Sequence, residues 1–270
     1  MPYEKKVSRA DPGLIVLVLD DSGSMGDPMA GTSDPKYTWV ERYGGIILKE
    51  LLVRSTEVKG DSVTVRPRYF VHLITYGGKP DMAQCQAPEG GIYKGLNIEE
   101  TLNRYTAAQN SLGLGGKLGG TDTDAALMSA LRFLESCVAK YKTCFPPMVF
   151  HLTDGESQTD PELAAERLRQ FSTDDGHVLL VNAFIGERTN LNYRGPEDFP
   201  GYIIEQEAGP SEYSARLFRM SSEIPATVRA NLVNDGIFPT IREGARLYFD
   251  VRTKDMLKHV IQVVGSQGSR

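Results

Sequence analysis

Cysteine is scarce, and the three present do not pair up. Cys85, Cys137 and Cys144 form no C-x-x-C couple, which excludes a zinc ribbon or a thioredoxin-like motif. So few thiols in a chain of 270 residues also argue against a disulfide-built scaffold. Charge of one sign is lacking as well. Against 35 Asp and Glu stand 30 Lys and Arg, so no basic excess exists to neutralise phosphates, and nucleic-acid binding by bulk charge is excluded. No stretch of about 18 apolar residues occurs, so no membrane span is expected. The opening residues, MPYEKKVSRADPG, carry no apolar core of the signal-peptide kind, and a reducing cytoplasm is the expected compartment.

What is present is an ordinary globular composition. Hydrophobic residues make up 40% of the chain, enough for a sizeable core. The run GLIVLVL at 13–19 is nearly continuous and stops at Asp20. Continuous rather than alternating apolar character predicts a strand buried on both faces of a parallel sheet. Further strands are expected at 69–76, 148–152 and 178–185, with a last one at 246–249. Helical spacing of Trp39, Tyr43, Ile46, Ile47 and Leu51 predicts a helix over 36–54. Ala126, Leu127, Ala130, Leu131, Leu134 and Val138 do the same for 123–140. Other helices are expected at 98–107, 160–171, 211–220, 225–233 and 254–264.

Strands alternating with helices predict a single α/β domain, doubly wound, its mostly parallel sheet flanked by helices on both faces. It occupies 13–264, after an N-terminal extension at 1–12 and before a flexible tail at 265–270. Two loop-rich insertions interrupt it, at about 79–120 and 187–210. The first is expected to hold a short edge strand and to end in a flexible connection, SLGLGGKLGGT. The second is expected to hold a short strand at Tyr202-Ile203-Ile204.

Three polar clusters are expected where buried strands end: Asp20-Asp21-Ser22-Gly23-Ser24, Gly120-Thr121-Asp122-Thr123 and Thr153-Asp154-Gly155-Glu156. In a parallel sheet the carboxyl ends of the strands share one edge, where ligands bind. The donors are carboxylates and hydroxyls only, which suits a hard divalent cation and not zinc or copper. Asp, Ser and Gly after a strand also serve as turn formers and helix caps. The joint occurrence of all three clusters, each before a helix, favours a site over three separate caps. For Asp122 and Asp124 the helix N-terminus is explanation enough.

This pattern resembles the von Willebrand factor A (VWA) domain with its metal-ion-dependent adhesion site. The family's D-x-S-x-S, later Thr and later Asp are matched by Asp20, Ser22 and Ser24 in VLDDSGSM, Thr121 in GGTDTDAAL and Asp154 in HLTDGES. The resemblance spans roughly 13–264. More loosely, MSSEIPATVRANL and GARLYFDVRTKDML are similar to bacterial VWA proteins of tellurite resistance and stress signalling. The resemblance implies that these five residues hold Mg²⁺, with Mn²⁺ or Ca²⁺ as alternatives. It also implies that an Asp or Glu of a protein partner completes the coordination. The expected function is a metal-dependent protein–protein interaction module and not an enzyme.

Two other classes use the same crevice: a metal-dependent hydrolase or phosphotransfer enzyme, and a scaffold whose metal is purely structural. The enzyme reading finds little support. G-x-S-x-G fails around Ser24 because position 22 is Ser, and a phosphate loop at Gly116-Lys117 fails at Ser111 and Leu118. An aspartyl phosphatase needs an acid where Ser22 stands. His72 and His151 lie inside apolar strands and read as core residues, whereas His177 and His259 read as surface ones.

Overall fold

The computed structural model describes residues 3–29, 31–66, 68–78, 94–116, 118–185, 193–251 and 254–265. Strand β1 (Gly13–Asp20) is buried along all eight residues, as its unbroken apolar run requires. After a 3-10 turn (Gly23–Gly26) comes α1 (Lys36–Arg54), then the hairpin β2 (Thr56–Lys59) and β3 (Ser62–Val65). Strand β4 (Tyr69–Tyr76), β5 (Lys94–Asn97), α2 (Ile98–Ala107) and α3 (Thr123–Tyr141) follow. Then come β6 (Met148–Thr153), α4 (Glu162–Gln170), the small pair β7 (Ser172–Thr173) and β8 (Gly176–His177), and β9 (Leu179–Phe184). The chain continues through α5 (Glu205–Ala208), α6 (Glu212–Met220) and α7 (Ala226–Asn234) to β10 (Tyr248–Asp250) and α8 (Lys254–Gly265).

The main sheet has the order β10-β9-β6-β1-β4-β5. Its first five strands run parallel, and β5 closes the far edge antiparallel to β4. The fold is therefore α/β with a mostly parallel sheet. Helices gather in two groups: α1 packs with α2 and α8, while α4 packs with α3 and α6. Among the described residues no helix is long and apolar enough to cross a membrane.

Helix α1 carries Gly44-Gly45 at its middle, where each glycine costs about 1 kcal/mol against alanine. Packing explains them: a Cβ on Gly44 would run into Leu112, and one on Gly45 into the Tyr105 hydroxyl of α2. The segment after α2 lies close against α1 for the same reason.

Several expectations need correction. Tyr202-Ile203-Ile204 forms no strand. Its carbonyl at Tyr202 accepts from Arg246, but Ile203 N–H turns to the Glu207 carboxylate at 2.8 Å, so no ladder builds. The last strand starts at Tyr248 and not at Arg246. Ile46 and Val138, counted among the apolar faces, are 37% and 36% exposed. The β2–β3 hairpin lies beyond the expectations, since TEVKGDSVTV has the alternation but buries little of either face. The N-terminal extension is anchored: the Asp175 carboxylate, in the turn between β7 and β8, accepts from the N–H groups of Glu4 at 2.9 Å and Lys5 at 3.1 Å.

Candidate metal centre

Strand order reverses beside β1. The chain steps from β1 to β4 on one side, then returns to place β6 on the other. The carboxyl ends of β1 and β6 flank this switch point, where open parallel sheets form a crevice. β1 ends in Asp20, and Asp154 directly follows β6.

Asp20 is fully buried. Its Oδ1 accepts from Ser22 N–H at 2.9 Å and its Oδ2 from the Thr153 hydroxyl at 2.6 Å. Ser22 precedes the 3-10 turn, yet its hydroxyl does not cap it. Instead it lies 3.2 Å from the Ser24 hydroxyl. This hydrogen bond keeps the two hydroxyl oxygens side by side, where both would be available to a hard cation. Asp154 is 6% exposed; its Oδ2 receives the Lys36 ammonium at 3.1 Å, and its Oδ1 has no hydrogen-bond partner among the described residues.

Thr121 comes from the second cluster, which follows the glycine-rich loop before α3 and not, as expected, the end of a strand. Its carbonyl accepts from Gln158 N–H at 2.9 Å, which ties the loop before α3 to the loop after β6. The contacts described for Thr121 are through this backbone, and the residue is 5% exposed. The glycine-rich run ahead of it, expected to be flexible, is pinned. Asp21 Oδ1 accepts from Gly115 N–H at 2.7 Å and Gly116 N–H at 2.6 Å. Glu41 accepts from Leu112 N–H at 2.7 Å and Leu114 N–H at 2.6 Å. Gly116 has a positive φ of 61°, and a Cβ there would lie 2.7 Å from Gly26 N, so the two loops close on each other only through glycine. Gly119 carbonyl meets Gly23 N–H at 3.4 Å, and Gly120 carbonyl accepts from Gly78 N–H.

Burial, followed by the nearby Asp154 charge, pushes the Asp20 carboxyl up to about 7, against the pull of its hydrogen bonds from Thr153 and Ser22. Lys36 pairs with Asp154, and among the described residues no cation pairs with Asp20. Among the described residues, no three His, Cys, Asp or Glu side chains gather as a metal cage. The candidate set is instead two carboxylates and three hydroxyls. An oxygen-only set and an orphaned Asp154 oxygen fit a hard dication.

Asp122 caps α3 by accepting from Ala125 N–H at 3.0 Å, as the sequence suggests, and it also accepts from the Thr159 hydroxyl at 3.1 Å. His151 is a core residue. Its Nδ1 pairs with Asn182 Oδ1 at 2.8 Å and its Nε2 with the Tyr76 hydroxyl at 2.6 Å. Asn182 uses its amide nitrogen toward Leu217 carbonyl and Ser221, so its oxygen accepts; the proton is assigned to Nδ1, and Tyr76 donates to Nε2. His72 stacks on Phe133 at 3.7 Å between ring centroids. His177 is exposed, His259 is half-buried against Phe238, and Cys85 lies outside the described residues.

Lys36, Asp21 and Glu41 are the residues the motif reading missed. Lys36 was detectable as a cation in the first turn of a helix, where cations are disfavoured. Asp21 had the weaker signal of a doubled aspartate at the strand end.

No protein-family model matches the chain, and no curated protein matches it. Among solved structures it is similar to proximal thread matrix protein 1 from the mussel byssus, with 11% identity over 93% of this chain and 48% of that one, TM-score 0.44. It is also similar to the pilus adhesin SpaC from Lactobacillus rhamnosus GG, with 14% identity over 97% of this chain and 31% of that one, TM-score 0.49. The chain spans about half the length of the first and a third of the second. Likeness at this level assigns neither a family nor an activity.

Proposed function

We propose that the chain is a VWA-type, non-enzymatic binding module that grips an acidic side chain of a protein partner through a divalent cation, Mg²⁺ first among candidates. Asp20, Ser22, Ser24, Thr121 and Asp154 hold the ion, directly or through water. The observation that carries this reading is the buried Asp154 carboxylate at the strand switch point, with one oxygen unpartnered and the paired hydroxyls of Ser22 and Ser24 on the neighbouring strand's loop. The reversed strand order and the two helix groups support a doubly wound arrangement with helices on both faces.

The logic is electrostatic. Neutral hydroxyls leave the cation with charge to offer an incoming carboxylate, and Mg²⁺ keeps waters that such a ligand displaces. The histidine nearest in sequence has both ring nitrogens engaged in the core, so it is not placed to act as a general base. Under the same reading the partner belongs to a bacterial stress or signalling assembly.

The test is a pull-down with the chain in Mg²⁺ and in EDTA, with Asp154→Ala as control. Partner recovery that needs both the ion and Asp154 is expected. Equal recovery in EDTA, or metal-dependent turnover of phosphoesters that Asp154→Ala abolishes, would overturn the reading.

A further inference from the structure

Lys36 is explained neither by the donor pattern nor by its helix. It is the first residue of α1, after Pro35, and its own N–H is fixed on Asp27 carbonyl at 2.9 Å. A cation there opposes the positive end of the helix dipole. What holds the ammonium is Asp154 Oδ2 at 3.1 Å, with the two side chains 13% and 4% exposed.

We propose that Lys36 is a tethered competitor for the metal: its ammonium holds Asp154 when no divalent cation is bound, and loses that hold when one binds. The inference rests on the metal-binding reading above and adds what sets the affinity of the site. The Asp154 carboxylate has a single oxygen left open. A dication drawn by Ser22, Ser24 and Asp20 takes its charge balance from the same carboxylate that Lys36 uses. Two positive charges on one carboxylate in a partly buried site repel, so the ion pair and the bound ion oppose each other. The coupling is reciprocal: loss of the Lys36 charge strengthens the metal, and the metal loosens Lys36. The site then fills only once the cation concentration is high enough to displace a group already attached to the chain.

Two measurements test this on the full chain. The first is Mg²⁺ titration by calorimetry of the wild type, Lys36→Met and Lys36→Arg. Lys36→Met should bind roughly tenfold tighter than the wild type, a coupling of ordinary size. Lys36→Arg, which keeps the charge, should stay near the wild type. The second needs no substitution. Acetic anhydride labelling of the wild type, read by peptide mass spectrometry, should modify Lys36 faster in Mg²⁺ than in EDTA. The exposed Lys49 on the same helix, unaffected by the ion, serves as reference.

If the wild type binds Mg²⁺ and Lys36→Met binds it no tighter, the inference fails and the metal reading stands. Unchanged Lys36 labelling in a Mg²⁺-binding wild type overturns it in the same way. Absence of Mg²⁺ binding in both the wild type and Lys36→Met overturns the metal reading and the inference together. Binding by Lys36→Met alone supports the inference in its strongest form.

Discussion

The Thr153 hydroxyl donates to Asp20 Oδ2 at 2.6 Å, joining the last residue of β6 to the last residue of β1. The same oxygen accepts from Gly155 N–H at 2.9 Å, so one side chain fixes both the carboxylate and the turn that carries Asp154. Thr153→Val keeps the shape and removes both bonds. It should lower stability by about 2 kcal/mol in urea unfolding at pH 7, because a buried polar group loses its partner. Thr153→Ser should recover most of the loss.

Ser22→Ala combined with Ser24→Ala should leave the chain folded, because its strands bury a core that needs no ion. The variant should lose metal-dependent partner binding. In the wild type, Mg²⁺ at about 100 times its Kd should add only about 2.7 kcal/mol. Thermal melts with and without EDTA check both points; an unfolded double variant would make the metal structural.

His151 gives a pH signature. Burial, opposed by its bond to Asn182, holds its imidazole down to about 4, against about 6.5 in the unfolded chain. Between these values the unfolded chain takes a proton that the folded one refuses. This contribution is therefore full above about pH 6.5 and is lost as the pH falls toward 4, roughly 3 kcal/mol in all. Carboxylates titrate in the same range, so the comparison is with His151→Gln, whose stability should fall less steeply. Denaturant curves at pH 7, 5.5 and 4.5 measure it.

Asp21→Asn weakens the acceptor that pins Gly115 and Gly116, at a cost of about 2 kcal/mol for two charge-assisted bonds. Amide exchange of Gly115 and Gly116 should accelerate, and that of β1 should not. Mg²⁺ affinity should also fall, because this loop leads into Thr121.

The elements that position the centre were legible because burial dictates them. The unbroken run at β1 and the helical spacing through α1 and α3 leave the chain few other ways to hide apolar surface. Asp20 and Asp154 could be assigned to one edge because one ends a strand of the sheet and the other directly follows its neighbour. The contact of Lys36 with Asp154 could not, since it joins residues 118 positions apart through a side chain whose local signal is only an unfavourable dipole. The same holds for Glu41, an ordinary helix residue until the 112–114 backbone is seen against it. The strand expected at Tyr202 failed because apolar β-branched residues alone do not supply a neighbouring edge.

The described outer strands of the sheet are short: β10 has three residues and β5 has four. Long open edges invite another chain to add itself by backbone pairing, and brevity is a common defence against such templating and the aggregation it seeds. As described, these two strands present little backbone for a visitor to extend, so the sheet offers a poor template for growth into a neighbour.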